Sequence, residues 1–183
     1  MKGEIVTIEK GKKPIRKFDM KSDVLDYTFG YNKAEGVALH RKLNNAPSIT
    51  VEDLRRVSLW KLDRVMDVPE ETLQKLNTLA ISEVQIDDPL VEDVLNRLVF
   101  SQGIGFPMAS TILKFIKPNV FPIIDVRAYR ALTGKKLYYT TYSYEKYVEY
   151  AKSLAKIAAH TKRPLREIDE QLYCFDKKHN VKI

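Results

Sequence analysis

Residues 98–132 read LVFSQGIGFPMASTILKFIKPNVFPIIDVRAYRAL. The first of them close an apolar stripe in which Leu90, Val91, Val94, Leu95, Leu98 and Val99 recur at helical spacing, so the segment opened by Asp88-Pro89 reads as a half-buried helix. It ends at Ser101-Gln102-Gly103-Ile104-Gly105-Phe106, and Pro107 opens a second helix that carries Met108, Ile112, Leu113, Phe115 and Ile116 before Pro118 closes it. Phe121-Pro122-Ile123-Ile124 reads as a short extended link into Asp125, and Val126 to Leu132 as a third helix ended by Gly134. Two glycines two apart between helices let the chain turn tightly and bring backbone N–H groups close to an anion. The helix that follows adds the positive end of its dipole, so Gly105 to Ala109 can hold a phosphate oxygen without any cationic side chain. A plain turn is the competing reading of the same glycines.

The rest of the chain extends this all-α pattern. Ala34, Val37, Ala38, Leu39 and Leu43 share a face of a helix that starts near Lys33 and stops at Asn44-Asn45-Ala46-Pro47. Thr50 is a good N-cap for a second helix with an acidic first turn and apolar positions at Leu54, Val57, Trp60 and Leu62. A third helix is expected from Pro69, at its first helical position, through Leu73, Leu76 and Leu79. Two more are expected from about Tyr144 to His160 and from about Pro164 to Phe175. Tyr138, Tyr139, Tyr142, Tyr144, Tyr147 and Tyr150 crowd one segment, where amphipathic packing at helix and loop edges and base stacking are both open readings. Residues 1–22 form a basic arm (Lys10, Lys12, Lys13, Arg16, Lys17), either simply solvated or touching phosphate, and residues 23–183 read as one helical domain.

Composition bounds the function. With 183 residues, 44% of them hydrophobic and 30% charged, the chain is long enough to bury a core. No apolar run approaches the roughly 20 residues of a membrane-spanning helix, and no secretory signal is visible, so a cytoplasmic protein without membrane contact is expected. The single Cys174 makes neither an internal disulfide nor a four-thiolate site, and His40, His160 and His179 lack a paired ligand spacing. Metal and cofactor are therefore expected to be none. Thirty-one Lys and Arg against 24 Asp and Glu give a net charge of +7, which favours a polyanionic partner.

Gly103-Ile104-Gly105-Phe106-Pro107-Met108-Ala109 followed by Phe121-Pro122-Ile123-Ile124-Asp125, with Gly103 and Asp125 22 positions apart and Arg130 beyond, resembles the helix-hairpin-helix (HhH-GPD) DNA glycosylase superfamily. The likeness covers about 35 residues. It implies an all-helical fold of two subdomains flanking a DNA-binding cleft, with hairpin and aspartate at its mouth. It implies double-stranded DNA as partner, contacted through Gly103, Ile104, Gly105, Phe106, Met108, Ala109, Arg127 and Arg130, and Asp125 as the catalytic residue of N-glycosidic cleavage on a flipped nucleotide. A carboxylate suits that work because it stabilises an oxocarbenium-like sugar and orients or deprotonates the attacking water. The bland role of Asp125, a helix N-cap, is compatible with the catalytic one.

The chain also departs from that pattern. Relatives that cut the DNA backbone carry a Schiff-base lysine where this chain has Pro107, so a monofunctional hydrolase is expected. A small or hydroxyl residue and then His or Asn usually follow the aspartate; here Val126 and Arg127 stand there, and the four-cysteine cluster of some relatives is absent. Glu35 is a candidate proton donor or a solvated glutamate, and Trp60 a core tryptophan or an aromatic wedge. The rival functions are a catalytically silent DNA-binding module and a helical protein-protein adaptor. A monomer suffices for each.

Overall fold

Eight α-helices run through the described residues of the computed structural model, namely 16, 18–24, 26–28, 30–44 and 46–180, with no strand among them. They are α1 (Lys33–Leu43), α2 (Val51–Lys61), α3 (Glu70–Ile81), α4 (Pro89–Phe100), α5 (Phe106–Ile116), α6 (Val126–Thr133), α7 (Tyr144–Thr161) and α8 (Leu165–His179). The all-α class is thus observed. The boundaries follow from local chemistry. Thr50 and Asp53 form a reciprocal capping box, with Thr50 Oγ1 accepting from Asp53 N–H at 3.2 Å and Asp53 Oδ2 from Thr50 N–H at 2.9 Å. Asp88 accepts from Leu90 N–H at 2.8 Å with Pro89 in the first turn, and Ser143 from Lys146 N–H at 3.2 Å. Gly134 ends α6 in the left-handed region at φ 71°.

Two expected boundaries move. Pro69 is the residue before α3 rather than its first helical position, and α8 runs one turn beyond Phe175. Lys177, Lys178 and His179 favour that last turn through the helix dipole, and Asp176 within it is tied to α6. Of the basic arm, residues 1–15 and Lys17 lie outside the described residues; Arg16 pairs with Asp23.

Helices α3 to α8 share one core in which Leu79, Leu95, Leu98, Leu113, Phe121 and Leu154 are fully or almost fully buried. Helix α6 packs most extensively on α8. The α1–α2 pair stands outside that core: Leu39 is its buried apolar residue, while Val37, Leu54 and Val57, expected on inward faces, stay exposed. The pair is closed by polar contacts instead. Trp60 Nε1 donates to Asn32 O at 2.8 Å, and Arg56 grips Glu35 through two hydrogen bonds of 2.9 Å. Among the described residues no helix is long and apolar enough to cross a membrane.

Candidate functional site

Helices α4 and α5 meet at a turn that the two glycines serve in different ways. Gly103 sits at φ 79°, and a Cβ there would lie 2.6 Å from the carbonyl oxygen of Val65, so conformation and space both exclude a side chain. The neighbouring Asp67 N–H donates to Gln102 O at 3.1 Å, which pins the segment after α2 against the turn. Gly105 has an ordinary φ of −91°, and a Cβ there would make only ordinary contacts, with a Tyr139 ring carbon at 3.6 Å and Pro107 Cδ at 4.0 Å. The tight-turn argument therefore applies to Gly103 alone.

The side chains of Ile104, Phe106 and Ala109 are buried in the core, so only their backbone can meet a ligand; Met108 is 45% exposed. Ile104 N–H already donates to Ser101 O at 3.2 Å and Ala109 N–H to Gly105 O at 2.9 Å. The N–H groups of Gly105, Phe106 and Met108 have no backbone partner among the described residues, and Pro107 has no N–H. Three backbone donors without a backbone partner among the described residues thus lie at the N-terminus of α5.

The extended link to Asp125 is held by side chains from three helices. Ile123 N–H donates to Asp169 Oδ2 at 2.8 Å and Ile124 N–H to Ser110 Oγ at 3.2 Å. The Tyr147 hydroxyl donates to Pro122 O at 2.9 Å and the Tyr150 hydroxyl to Ile123 O at 3.0 Å. A buried stretch without secondary structure must satisfy its backbone in this way. Burial pushes both phenols well above their ordinary acidity range. Asp169 is fixed in turn by Lys114, whose ammonium donates to both carboxylate oxygens at 2.9 Å and to Glu170 at 2.8 Å. Lys114, Asp169, Ser110, Tyr147 and Tyr150 were not singled out from the sequence for this role. The one available signal was the i, i+3 pair of Tyr147 and Tyr150 on an amphipathic helix.

Asp125 emerges half-buried from this frame. Its Oδ1 accepts from Ala128 N–H at 2.7 Å, capping α6, and no side chain among the described residues hydrogen-bonds to it. Burial raises its pKa above the usual carboxylate range, the α6 N–H groups oppose that shift, and the Asp169 charge adds to it. It lines a cleft of about 190 Å³ with Ile123, Asp169, Glu170, Tyr173 and Cys174. That is smaller than the roughly 300 Å³ at which drug-sized ligand sites begin, so it suits one small group. Beside it, the Tyr142 hydroxyl is buried without a hydrogen-bond partner among the described residues, and its pKa is pushed up to about 12 by burial and by the Asp125 charge. The Tyr142 ring stacks on Phe106, centroids 5.2 Å apart, which links the α5 N-terminus to the Asp125 neighbourhood.

The other candidates are placed elsewhere. Arg130 holds the fully buried Asp176 through bonds of 2.7 and 2.8 Å, and Arg127 donates to the same carboxylate at 3.1 Å. Glu35 is engaged by Arg56 and, like Trp60, belongs to the α1–α2 pair rather than to the Asp125 cleft. Among the described residues no group of three or more His, Cys, Asp or Glu is arranged to hold a metal ion. In comparisons with known proteins, no family model, no curated protein and no solved structure matches this chain.

Proposed function

We propose that this chain binds double-stranded DNA as a divergent helix-hairpin-helix glycosylase does, and that Asp125 promotes hydrolysis of an N-glycosidic bond. The observation that carries the reading is the state of Asp125: a half-buried carboxylate without a side-chain hydrogen-bond partner among the described residues, on a link whose backbone is satisfied from α5, α7 and α8. Groups pre-positioned in this way act without reorganisation when charge develops. In the proposed step the C1′–N bond breaks with its electron pair leaving on the base. The sugar becomes cationic, and water adds to C1′ while its proton passes to Asp125. A carboxylate made more basic by burial is the better acceptor near neutral pH. The partnerless N–H groups of Gly105, Phe106 and Met108 supply the phosphate grip, which reads backbone and not sequence.

Strand cleavage through a Schiff base is not part of this reading. Pro107 has no amine, and Lys114 on the same helix is buried and fully engaged by Asp169 and Glu170. A silent binding module is the second reading, favoured by the α6 cap, which Asp125 would supply with or without chemistry.

Affinity for a duplex carrying a cationic abasic-sugar analogue, compared with the same duplex unmodified, separates the two. A strong preference for the analogue that Asp125→Asn removes is the expected result. Equal, salt-sensitive binding of both duplexes by both proteins leaves the binding module, and no binding of either reduces the hairpin to a turn.

A further inference from the structure

Between α6 and α7 the chain presents two tyrosines to solvent from a braced turn. Leu137 is buried and anchors this connection in the core, whereas Tyr138 is 60% and Tyr139 is 78% exposed. The turn is closed at Thr141, whose N–H donates to Tyr138 O at 2.9 Å, whose hydroxyl donates to the same oxygen at 2.8 Å, and which accepts from Tyr138 N–H at 3.2 Å. Lys146 reaches the Thr141 carbonyl from α7. Exposed aromatic rings on a frame braced in this way lose little conformational freedom when a ligand covers them.

The neighbours of these rings suggest the ligand. Tyr139 reaches the N-terminus of α5, where a side chain at Gly105 would lie in van der Waals range of its ring, at the residue that opens the run of N–H groups without a backbone partner among the described residues. Lys136 Nζ sits 5.6 Å from the centroid of the Tyr138 ring. Lys135 and Lys136 are exposed and have no carboxylate partner among the described residues. A flat π-face at the α5 N-terminus, with exposed lysines at the nearby positions 135 and 136, matches a nucleotide: base on the ring, phosphate on the cations and N–H groups.

We infer that Tyr139 is a stacking platform for an unpaired nucleobase in the strand gripped at Gly105, with Lys135, Lys136 and Tyr138 beside it, so that the protein prefers duplexes containing an extrahelical base. The inference rests on the proposed DNA grip of the α4–α5 turn and adds a docking place for a base outside the Asp125 cleft.

The test uses a duplex with 2-aminopurine as a single-base bulge and a matched duplex with the same base paired. Wild type should quench the bulged fluorophore and bind that duplex about tenfold more tightly than the paired one. Tyr139→Ala should lose the quenching and the preference while keeping the affinity and salt dependence of wild type for paired DNA. Tyr139→Phe should keep both, because stacking needs the ring and not the hydroxyl. Equal binding of the two duplexes by wild type, or a preference that survives in Tyr139→Ala, overturns the platform and leaves the grip standing. Absence of binding to either duplex overturns the grip and the platform together. The exposure of Tyr139 makes the Ala variant a safe one to fold, which far-ultraviolet circular dichroism checks.

Discussion

Two aspartates serve the same short helix in opposite ways. Asp176 meets the flank of α6 fully buried, with both oxygens engaged by Arg130, a third bond from Arg127 and a fourth from Asn180. These partners, Arg130 above all, hold its carboxyl at about 2. Asp125 meets the N-terminus of α6 with a backbone hydrogen bond and no cation hydrogen-bonded to it among the described residues, and burial displaces its pKa upward against the α6 N–H groups and the Arg127 charge. Burial disfavours the charged form of Asp125, whereas its partners favour the charged form of Asp176. The contrast also explains why Arg127 and Arg130, attractive as phosphate contacts on paper, act here within the fold.

The contrast breaks first at Asp176. Asp176→Ala leaves two partly buried guanidinium groups without their carboxylate and should lower unfolding stability by on the order of 3 kcal/mol, read from urea denaturation. If the proposed glycosidic cleavage is measured, its rate in the molecules that remain folded should be little changed. Arg130→Ala should likewise destabilise more than it weakens DNA binding. A large loss of duplex affinity with unchanged stability would put Arg130 back on the phosphate.

The glycines of the turn repeat the contrast on a second pair. Gly103→Ala meets both a left-handed φ and the Val65 carbonyl and should destabilise by roughly 2 kcal/mol or more. Gly105→Ala has room at an ordinary φ, and any effect on stability should stay within about 0.5 kcal/mol. If Gly105 works by presenting its N–H to phosphate, Gly105→Pro should weaken duplex binding, since proline has no donor.

What the sequence made legible follows the same division between local and distant causes. Helix boundaries could be read to within a few residues because their causes are local: the Thr50 box, Asp88-Pro89, Asp125 and Gly134 each lie within a turn of the end they set. Asp125 could be singled out because a cap signal coincides with the 22-residue separation from Gly103 that carries the family resemblance. Its frame could not. Asp169 stands 46 residues from Ile123 and 55 from Lys114, and no periodicity couples positions so far apart. Asp176 was hidden behind two arginines that charge alone assigns to solvent or phosphate. The half-open α1–α2 faces were misleading for a related reason, since helical spacing reveals an apolar face but not whether anything covers it.

Stability against pH sharpens the two-aspartate contrast through its sign. The depressed pKa of Asp176 contributes stability that is complete above about pH 4 and is lost as the pH falls towards about 2. The raised pKa of Asp125 acts the other way. Its contribution is complete below the ordinary carboxylate range and is lost as the pH rises through its elevated value, so the ionised group weakens the fold near neutrality. Asp125→Asn retains a good cap and removes the charge. It should therefore raise the urea midpoint at pH 7 and leave it nearly unchanged at pH 3, whereas Asp125→Ala should give back about 1 kcal/mol through loss of the cap.

A last variant tests whether the neighbourhood of Asp125 as a whole is kept for a ligand. The Tyr142 hydroxyl is buried beside that carboxylate without a partner, which lowers stability in the free protein. Tyr142→Phe keeps the stack on Phe106 and removes the orphaned group, so it should leave stability unchanged or raise it by up to about 1 kcal/mol in thermal unfolding. The same variant should bind the cationic abasic-sugar duplex less tightly than wild type if the hydroxyl finds its partner only in the complex. A gain in stability together with a loss in that affinity would extend the unpaired character of Asp125 to a second residue. A gain in stability with unchanged affinity would confine it to the carboxylate.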